Sequence, residues 1–326
     1  MLSSTKAKVA VFLVLLILAL LPLGAQQLDN NYMISVATRF LIYAIAAVSL
    51  DLILGYGALV SFGHAMFFAL GGYVVAIIAH HHSMMVPLFS WAGSNQALIL
   101  WPLALLVCAA IGALVGFFAL RTRGIQFIMV TLAFAQLLYF ILVALQPYGG
   151  DEGLFMYERN ILPFIDLEDR VQFYYVCLGA LVLWVLFCTL VIRSKFGMLL
   201  QAIRQSERRV ENLGASPKQY QLVAFIWSAV GTGLAGILWA NYAGLVTPDM
   251  ASWMKSGEFL AMVVLGGLGT IFGAIGGVIV FLGLERILTI WTEHWMIVMG
   301  PILILVALYA KQGLFGRFFG GRYGRE

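Results

Sequence analysis

The sequence predicts an all-α integral membrane protein of about ten transmembrane helices, some short or broken, with the N-terminus and the C-terminus cytoplasmic. Three observations carry that expectation: an apolar composition, apolar runs repeated along the whole length, and a one-sided distribution of lysine and arginine.

Of 326 residues, 62% are hydrophobic and 10% charged, and the mean hydropathy is +0.97. A soluble domain carries about a quarter charged residues, so this chain lacks the polar groups to coat a water-facing surface. Apolar runs of about 20 residues recur, each long enough to cross a hydrocarbon core about 30 Å thick. They fall at 9–25, 33–54, 61–79, 98–120, 125–145, 171–192, 220–241, 257–271, 272–290 and 296–310, the eighth and ninth being short and divided by glycine. No stretch between them holds a soluble domain. Residues 1–326 therefore read as a single transmembrane domain, with one long cytoplasmic loop at 194–219.

The first run has a rival reading. Lys6 and Lys8 precede apolar residues from Val9 to Leu23, then Gly24 and Ala25, which is the outline of a signal peptide. Leu23 is too large for the small-x-small cleavage pattern, so retention as a first helix is expected.

Loop charge sets the orientation. With the N-terminus inside, the cytoplasmic positives are Lys6, Lys8, Arg121, Arg123, Arg193, Lys195, Arg204, Arg208, Arg209, Lys218, Lys311, Arg317, Arg322 and Arg325. The outer loops keep Arg159, Arg170 and Lys255, while Arg39 and Arg286 lie within segments. That asymmetry follows the positive-inside rule. Acidic residues gather oppositely, with Asp151, Glu152, Asp166, Glu168 and Asp169 in one outer loop. Trp91, Trp101, Trp253, Trp291 and Trp295 stand near outer ends, where an indole sits at headgroup level. The net charge of +4 thus faces anionic lipid and calls for no nucleic-acid partner.

The polar loop is the most informative stretch. Wound as one helix, it puts Phe196, Leu199, Leu200, Ile203, Val210 and Leu213 on one stripe. Gln201, Gln205, Arg208 and Asn212 lie opposite, with Arg204 and Arg209 at the flanks. Gly214 is a C-terminal stop, and Pro217 prevents continuation. Glu207 breaks the pattern, one turn beyond Ile203 inside the apolar stripe. A carboxylate there needs a partner, either Arg204 or a cation on another protein. An interfacial helix lying on lipid explains the flanking arginines, whereas the inward carboxylate favours docking into a protein groove.

Ala202-Ile203-Arg204, Glu207 and Gly214, followed by Ala224-Phe225 and Gly233-Leu234-Ala235-Gly236, resemble the cytoplasmic loop of permease subunits of branched-chain amino acid ABC importers, the LivM-like family. Further blocks agree: Leu50 to Tyr73 with Ser61-Phe62-Gly63-His64-Ala65, Arg121-Thr122-Arg123-Gly124-Ile125 with Thr131-Leu132-Ala133-Phe134, and Gly266-Gly267-Leu268-Gly269-Thr270 with Gly273. Together they span residues 34–310.

The resemblance implies a multi-pass protein of the bacterial inner membrane, embedded in lipid and translocating branched-chain or related amino acids. Its implied partners are a second permease subunit, making a heterodimer, two ATP-binding subunits, and a periplasmic solute-binding protein. It implies no cofactor on this chain, with ATP used by the partner subunits. Phe196, Leu200, Ala202, Ile203, Arg204, Glu207 and Gly214 would form the coupling element against the ATPase. Ser61, Phe62, Gly63, His64, Gln126, Thr131, Gln136, Gly266, Gly267 and Gly269 would line the translocation path. Gly149, Gly150, Asp151 and Glu152 would meet the binding protein, in a Tyr148-to-Gly153 motif more acidic than the family's and without its threonine. Arg209 and Val210 also stand where the family has small residues. Urea, short amides and aromatic acids are carried by relatives in the same clan, and these residues do not choose among them.

Other groups carry bland and sharp readings together. His80, His81 and His82 are consecutive, so on a helix they diverge by about 100° each and cannot close on one metal ion. His64 is either a functional intramembrane group or a structural one bonding freed backbone. Gln126, Thr131 and Gln136 either line a path or join helices. Arg39 and Asp51 lie near opposite ends of one segment and both can snorkel, while adjacent Glu285 and Arg286 face apart. Cys108, Cys177 and Cys188 read as small packing residues.

The sequence holds no HExxH, no nucleophile elbow, no paired-cysteine zinc pattern and no phosphate loop, so the chain is expected to hydrolyse no ATP itself. Two rivals of other classes stand beside the importer subunit: an ion-coupled carrier built on Asp51 and Glu285, and an intramembrane enzyme built on His64 or the histidine tract.

Overall fold

A computed structural model describes residues 18–22, 24, 31–85, 93–292, 294–309 and 313–314. Most of the first predicted segment, with Lys6 and Lys8, lies outside the described residues, as do Trp91, Lys311, Arg317, Arg322 and Arg325.

The protein is almost wholly helical. Its helices are α1 (Asn31–Leu54), α2 (His64–Ser83), α3 (Ala97–Ala119), α4 (Ile125–Ala144), α5 (Arg170–Arg193), α6 (Lys195–Gln205), α7 (Glu207–Asn212), α8 (Pro217–Ala243), α9 (Trp253–Gly266), α10 (Ile271–Trp291) and α11 (Trp295–Tyr309). Two-residue strands β1 (Leu154–Phe155) and β2 (Leu245–Val246) pair antiparallel, with Leu154 opposite Val246.

Among the described residues, 7 helices are long and apolar enough to cross a membrane. The 14-residue α9 and the 15-residue α11 reach only about 21–23 Å at the α-helical rise, less than the hydrocarbon core. The eighth predicted segment is therefore short, as expected. The ninth is not: α10 runs for 21 residues, because the divide between the two falls at Gly267–Thr270 and not inside the helix.

Burial separates the long helices into two sets. α1, α2 and α8 are mostly buried, whereas α3, α4 and α5 expose most of their surface. The reason lies in side-chain size. Lipid tails are as apolar as leucine, so helices associate through close packing where small residues let backbones meet. A Cβ added at Gly236 would lie 1.8 Å from the Phe68 carbonyl oxygen, and one at Gly71 would lie 2.2 Å from that of Gly233. These contacts bring α8 against α2. Aromatic rings fill the space beside them, with Tyr43 edge-on to Trp239 at 5.4 Å and Phe68 edge-on to Phe259 at 5.4 Å. The outer helices instead present large apolar residues outward, among them Leu106, Phe117, Met129, Phe140 and Leu183. Cys108, Cys177 and Cys188 are free and buried, in keeping with a packing role.

The two ends of the bundle are built differently. One end carries α6 and α7, which form an arm, together with the α1–α2, α3–α4 and α9–α10 turns. The opposite end carries the long loops, held by a buried asparagine network. There Asn160 Nδ2 donates to Asn95 Oδ1, Asn241 Nδ2 donates to Asn160 Oδ1, and Asn160 N donates to Asn241 Oδ1, each at 2.9 Å. Trp101 Nε1 donates to Asn160 Oδ1 at 3.1 Å, tying α3 to the same point.

Gly236→Ala is expected to destabilise the purified protein by about 1–3 kcal/mol or more, because the new methyl meets fixed backbone. Gly179→Ala is the control, since nothing lies within 4 Å of its Cβ position, and it is expected to be neutral or better. Thermal unfolding in detergent distinguishes the two, and equal Tm values would contradict the packing account.

Candidate coupling site

The arm begins where α5 stops. Ser194 caps α6, its Oγ accepting from Gly197 N at 3.4 Å and donating to Val191 O at 2.6 Å. Leu200 and Ile203 are buried, and Phe196 packs on Trp227 at 4.9 Å and Tyr220 at 5.4 Å. The expected continuous helix is interrupted. Ser206 is extended, with φ −163° and ψ 106°, and becomes the cap position of α7. Serine competes for local backbone hydrogen bonds and favours such junctions. Val210 remains buried after the break, but Leu213 is 83% exposed, so it leaves the apolar stripe on which the sequence put it. Gly214, at φ +83°, closes α7 in the left-handed conformation, its N donating to Glu211 O at 2.9 Å. Pro217 then opens α8 at its first turn.

The Glu207 carboxylate has its partners within this chain. Arg123 Nη2 stands 2.8 Å from Glu207 Oε2, and Gln221 Nε2 donates to Oε1 at 3.1 Å. Neither expected partner, Arg204 or a foreign cation, is needed. The break at Ser206 turns α7 so that Glu207 faces the α3–α4 turn. Arg204 reaches elsewhere, its Nη1 donating to the Gly55 carbonyl oxygen just beyond α1.

Gly55 continues the chain of contacts. A Cβ there would sit 2.2 Å from both Gly269 N and Asp51 Oδ1. The α9–α10 turn is thereby clamped to the end of α1, where Gly269 N donates to Asp51 Oδ1 at 2.8 Å. Asp51 is fully buried, so it does not snorkel. Gly267 and Gly269 have φ of +114° and +73°, which the tight turn after Gly266 requires. The arm thus holds three inter-helix turns: α1–α2 through Arg204, α9–α10 through Gly55, and α3–α4 through Glu207. A cleft of about 320 Å³ lies between arm and turns, lined by Gly57, Arg123, Phe127, Arg204, Glu207 and Gln221 among others.

The residues expected along a path do not converge on one channel within this chain. Ser61 and His64 are buried, with Ser61 Oγ and His64 Nδ1 at 2.9 Å and His64 Nε2 and Ser228 Oγ at 2.9 Å. Ser228 Oγ donates to Ser49 O at 2.5 Å, so it accepts from His64 Nε2–H, and Nδ1 accepts from Ser61. Both ring nitrogens are engaged by serine hydroxyls, not by the freed backbone that the structural alternative for His64 expected. Phe62 N donates to Thr131 Oγ1 at 3.3 Å, so buried Thr131 joins helices. Gln126 is exposed and Gln136 half-buried on α4.

At the opposite end, Gly149 and Gly150 turn tightly, and Asp151 and Glu152 are exposed. His81 Nε2 meets Tyr148 Oη at 2.9 Å, and no group of three or more His, Cys, Asp or Glu suited to a metal occurs among the described residues. Arg39 does not snorkel: Nη2 pairs with Glu285 at 2.9 Å and 3.1 Å, bridging α1 and α10. Lys255 pairs with Glu258 at 2.7 Å on α9. Tyr43 lies between the two cations, with Arg39 Cζ 5.5 Å and Lys255 Nζ 4.9 Å from its ring centre. Arg286 stacks on Tyr32 at 4.5 Å, facing away from Glu285 as expected. The Arg39–Glu285 pair was hidden because its partners are far apart in sequence, although two opposite charges within apolar runs were its signal.

A helical bundle with 7 apolar spans among the described residues defines the class of multi-pass membrane proteins. Residues 32–307 match the family described as the branched-chain amino acid transport system permease component, and the chain belongs to that family. The high-affinity branched-chain amino acid transport system permease protein LivM of Salmonella typhimurium is 30% identical over 305 residues, covering 86% of this chain and 69% of the relative. LivM of Escherichia coli K12 matches to the same extent. LivH of Salmonella typhimurium, a permease protein of the same system by name, is 25% identical, covering 84% of this chain and 91% of its own. These relatives are transport permease proteins by name. No solved structure matches the chain significantly.

Glu207→Gln and Arg123→Gln are each expected to destabilise by less than about 1 kcal/mol, with a coupling of about 0.2–1 kcal/mol between them, because Arg123 is mostly solvated. His64→Phe is expected to cost about 2–5 kcal/mol, leaving Ser61 and Ser228 without their partner in the core. Thermal denaturation of the single and double variants reads out both. A His64→Phe protein as stable as the parent would exclude the bonded core.

Proposed function

We propose that this chain is one membrane-spanning permease subunit of an ATP-driven bacterial importer for branched-chain or closely related amino acids. The chain sits in the inner membrane with the arm and both termini cytoplasmic. A second permease completes the pathway, two ATP-binding subunits dock at the arm, and a periplasmic binding protein delivers solute to the Gly149–Glu152 face. This chain binds no nucleotide or cofactor; its partners supply ATP hydrolysis.

The arm carries the reading. Leu200, Ile203 and Val210 face inward and hold it to the bundle, while Arg204 and Glu207 tie it to the turns. What remains outward is Met198, 59% exposed, and Leu213, with Arg208, Arg209 and Glu211 between them. An exposed apolar pair around a charged patch suits an amphipathic segment seated in a groove of another protein. The inward residues serve as anchors, and the outward ones meet the ATPase. The amino-acid substrate rests on the names of LivM and LivH, and the similarity to both supports a pair of related permeases. The ion-coupled carrier is disfavoured because Asp51 and Glu285 are both committed to partners in the fold.

The test is reconstitution of the complete importer in proteoliposomes. Met198→Ser combined with Leu213→Ser is expected to lower binding-protein-stimulated ATP hydrolysis and leucine uptake by about tenfold, with membrane insertion preserved. Unchanged hydrolysis would remove the outward arm from the coupling contact. Leucine uptake by the purified chain alone, without ATP, would favour the carrier.

A further inference from the structure

Arg159 and Arg170 are two of the three cations on the loop end, and they converge on one cleft that the coupling mechanism does not use. The cleft holds about 260 Å³ and is lined by Ser35, Thr38, Arg159, Arg170, Phe173 and Tyr242. That is slightly below the ~300–1,000 Å³ typical of small-molecule pockets, a size suited to a solute of few heavy atoms. Among the described residues no carboxylate lines it. Among the described residues neither arginine forms an ion pair, although Asp166, Glu168 and Asp169 are close in sequence. Arg159 is held in place instead, with Nη1 on the Leu167 carbonyl and Cζ 4.7 Å from the Phe173 ring centre. Arg170 is the first residue of α5 and is exposed.

Ser35, in the lining, stands on a longer face of α1. Ser35, Arg39 and Tyr43 recur every four residues on α1, so they stack on one side. Tyr242 lines the cleft. It contacts Trp239 at 5.4 Å, and Trp239 meets Tyr43 at 5.4 Å. Arg159 and Arg170 give the cleft its positive charge, whereas Arg39 with Glu285 and Lys255 with Glu258 are neutral pairs. An unbalanced positive charge at the cleft is the complement of a solute carboxylate.

We propose that this cleft is a solute-receiving site in which Arg159 and Arg170 bind the carboxylate of an amino acid. The site deepens the importer reading and rests on it. A planar guanidinium pair suits a carboxylate through charge-assisted hydrogen bonds, and Phe173 offers an apolar wall to the side chain.

Arg170→Gln is the clean probe, because Arg159 also supports its loop. In the complete importer in proteoliposomes, with radiolabelled leucine, the leucine moved per ATP hydrolysed is expected to fall about tenfold. Arg170→Lys, which keeps the charge, is expected to restore most of it. A fall in hydrolysis and transport together would make the arginines a docking face for the binding protein, and would overturn the proposal. An unchanged ratio would overturn it too, leaving Arg170 as a headgroup anchor for lipid. A wild-type complex that hydrolyses ATP but moves no leucine would instead overturn the amino-acid importer reading on which the site stands.

Discussion

Backbone contact between α2 and α8 is the constraint on which the rest of the bundle depends. In lipid there is no water to drive apolar faces together, so association needs surfaces that approach to backbone distance. Gly71, Gly233 and Gly236 provide that approach, and carbonyl oxygens occupy the space their side chains would take. With α2 and α8 joined, α1 packs across both, and the aromatic group of Tyr43, Phe68, Trp239 and Phe259 closes the interior. α3, α4 and α5 are then left outside, with large apolar residues turned outward. Those surfaces are what a bilayer or a second permease accepts.

The arm repeats the same physics at smaller scale. Gly55 and Gly269 meet because neither carries a side chain, and only then do Asp51 and Arg204 reach the backbone groups they bind. A buried carboxylate is costly unless hydrogen-bonded. Asp51 meets that condition through Oδ1, which caps a turn of its own chain, while Oδ2 is buried without a hydrogen-bond partner among the described residues. The two lone carboxylates that a carrier would need are thus accounted for as structural ties.

The long helices were legible because a run of about 20 apolar residues has few other uses. The edges were legible where punctuation is strong: Gly214 and Pro217 end α7 and open α8 as read. Three features were not legible, each for a physical reason. Ser206 sits within a regular amphipathic pattern, and after the break Glu207 meets Arg123 on a turn distant in sequence. The asparagine network joins residues 65 and 81 positions apart, and a lone Asn in sequence gives no sign of its partner. Arg39 resembled a residue that reaches for the interface, Glu285 stands 246 positions away, and only the packing of α1 on α10 makes them a pair. Of the candidate site, the location of the arm was legible, while the division into inward anchors and outward contacts required knowing where the bundle stands.

Coupling between the two ends calls for an element that both ends can bias, and α1 meets that condition. Its Asp51 end is tied to the α9–α10 turn, beside the Gly55 carbonyl that Arg204 holds, so movement of the arm acts directly on it. Arg39 lies 12 residues away on the same helix, about 18 Å at the helical rise, and is paired to α10. A 24-residue helix without proline or glycine is stiff over that length, so a displacement at one tie is felt at the other and is not absorbed between them. α10 is held at the same two levels, by the Gly269 turn before it and by Glu285. Two stiff helices joined at both heights move as one body, and rotation of that body against α2 and α8 would open or close the space around Tyr43. The interface with the least resistance to such motion is the loop end, where an ion pair and ring contacts stand in place of interlocked backbone.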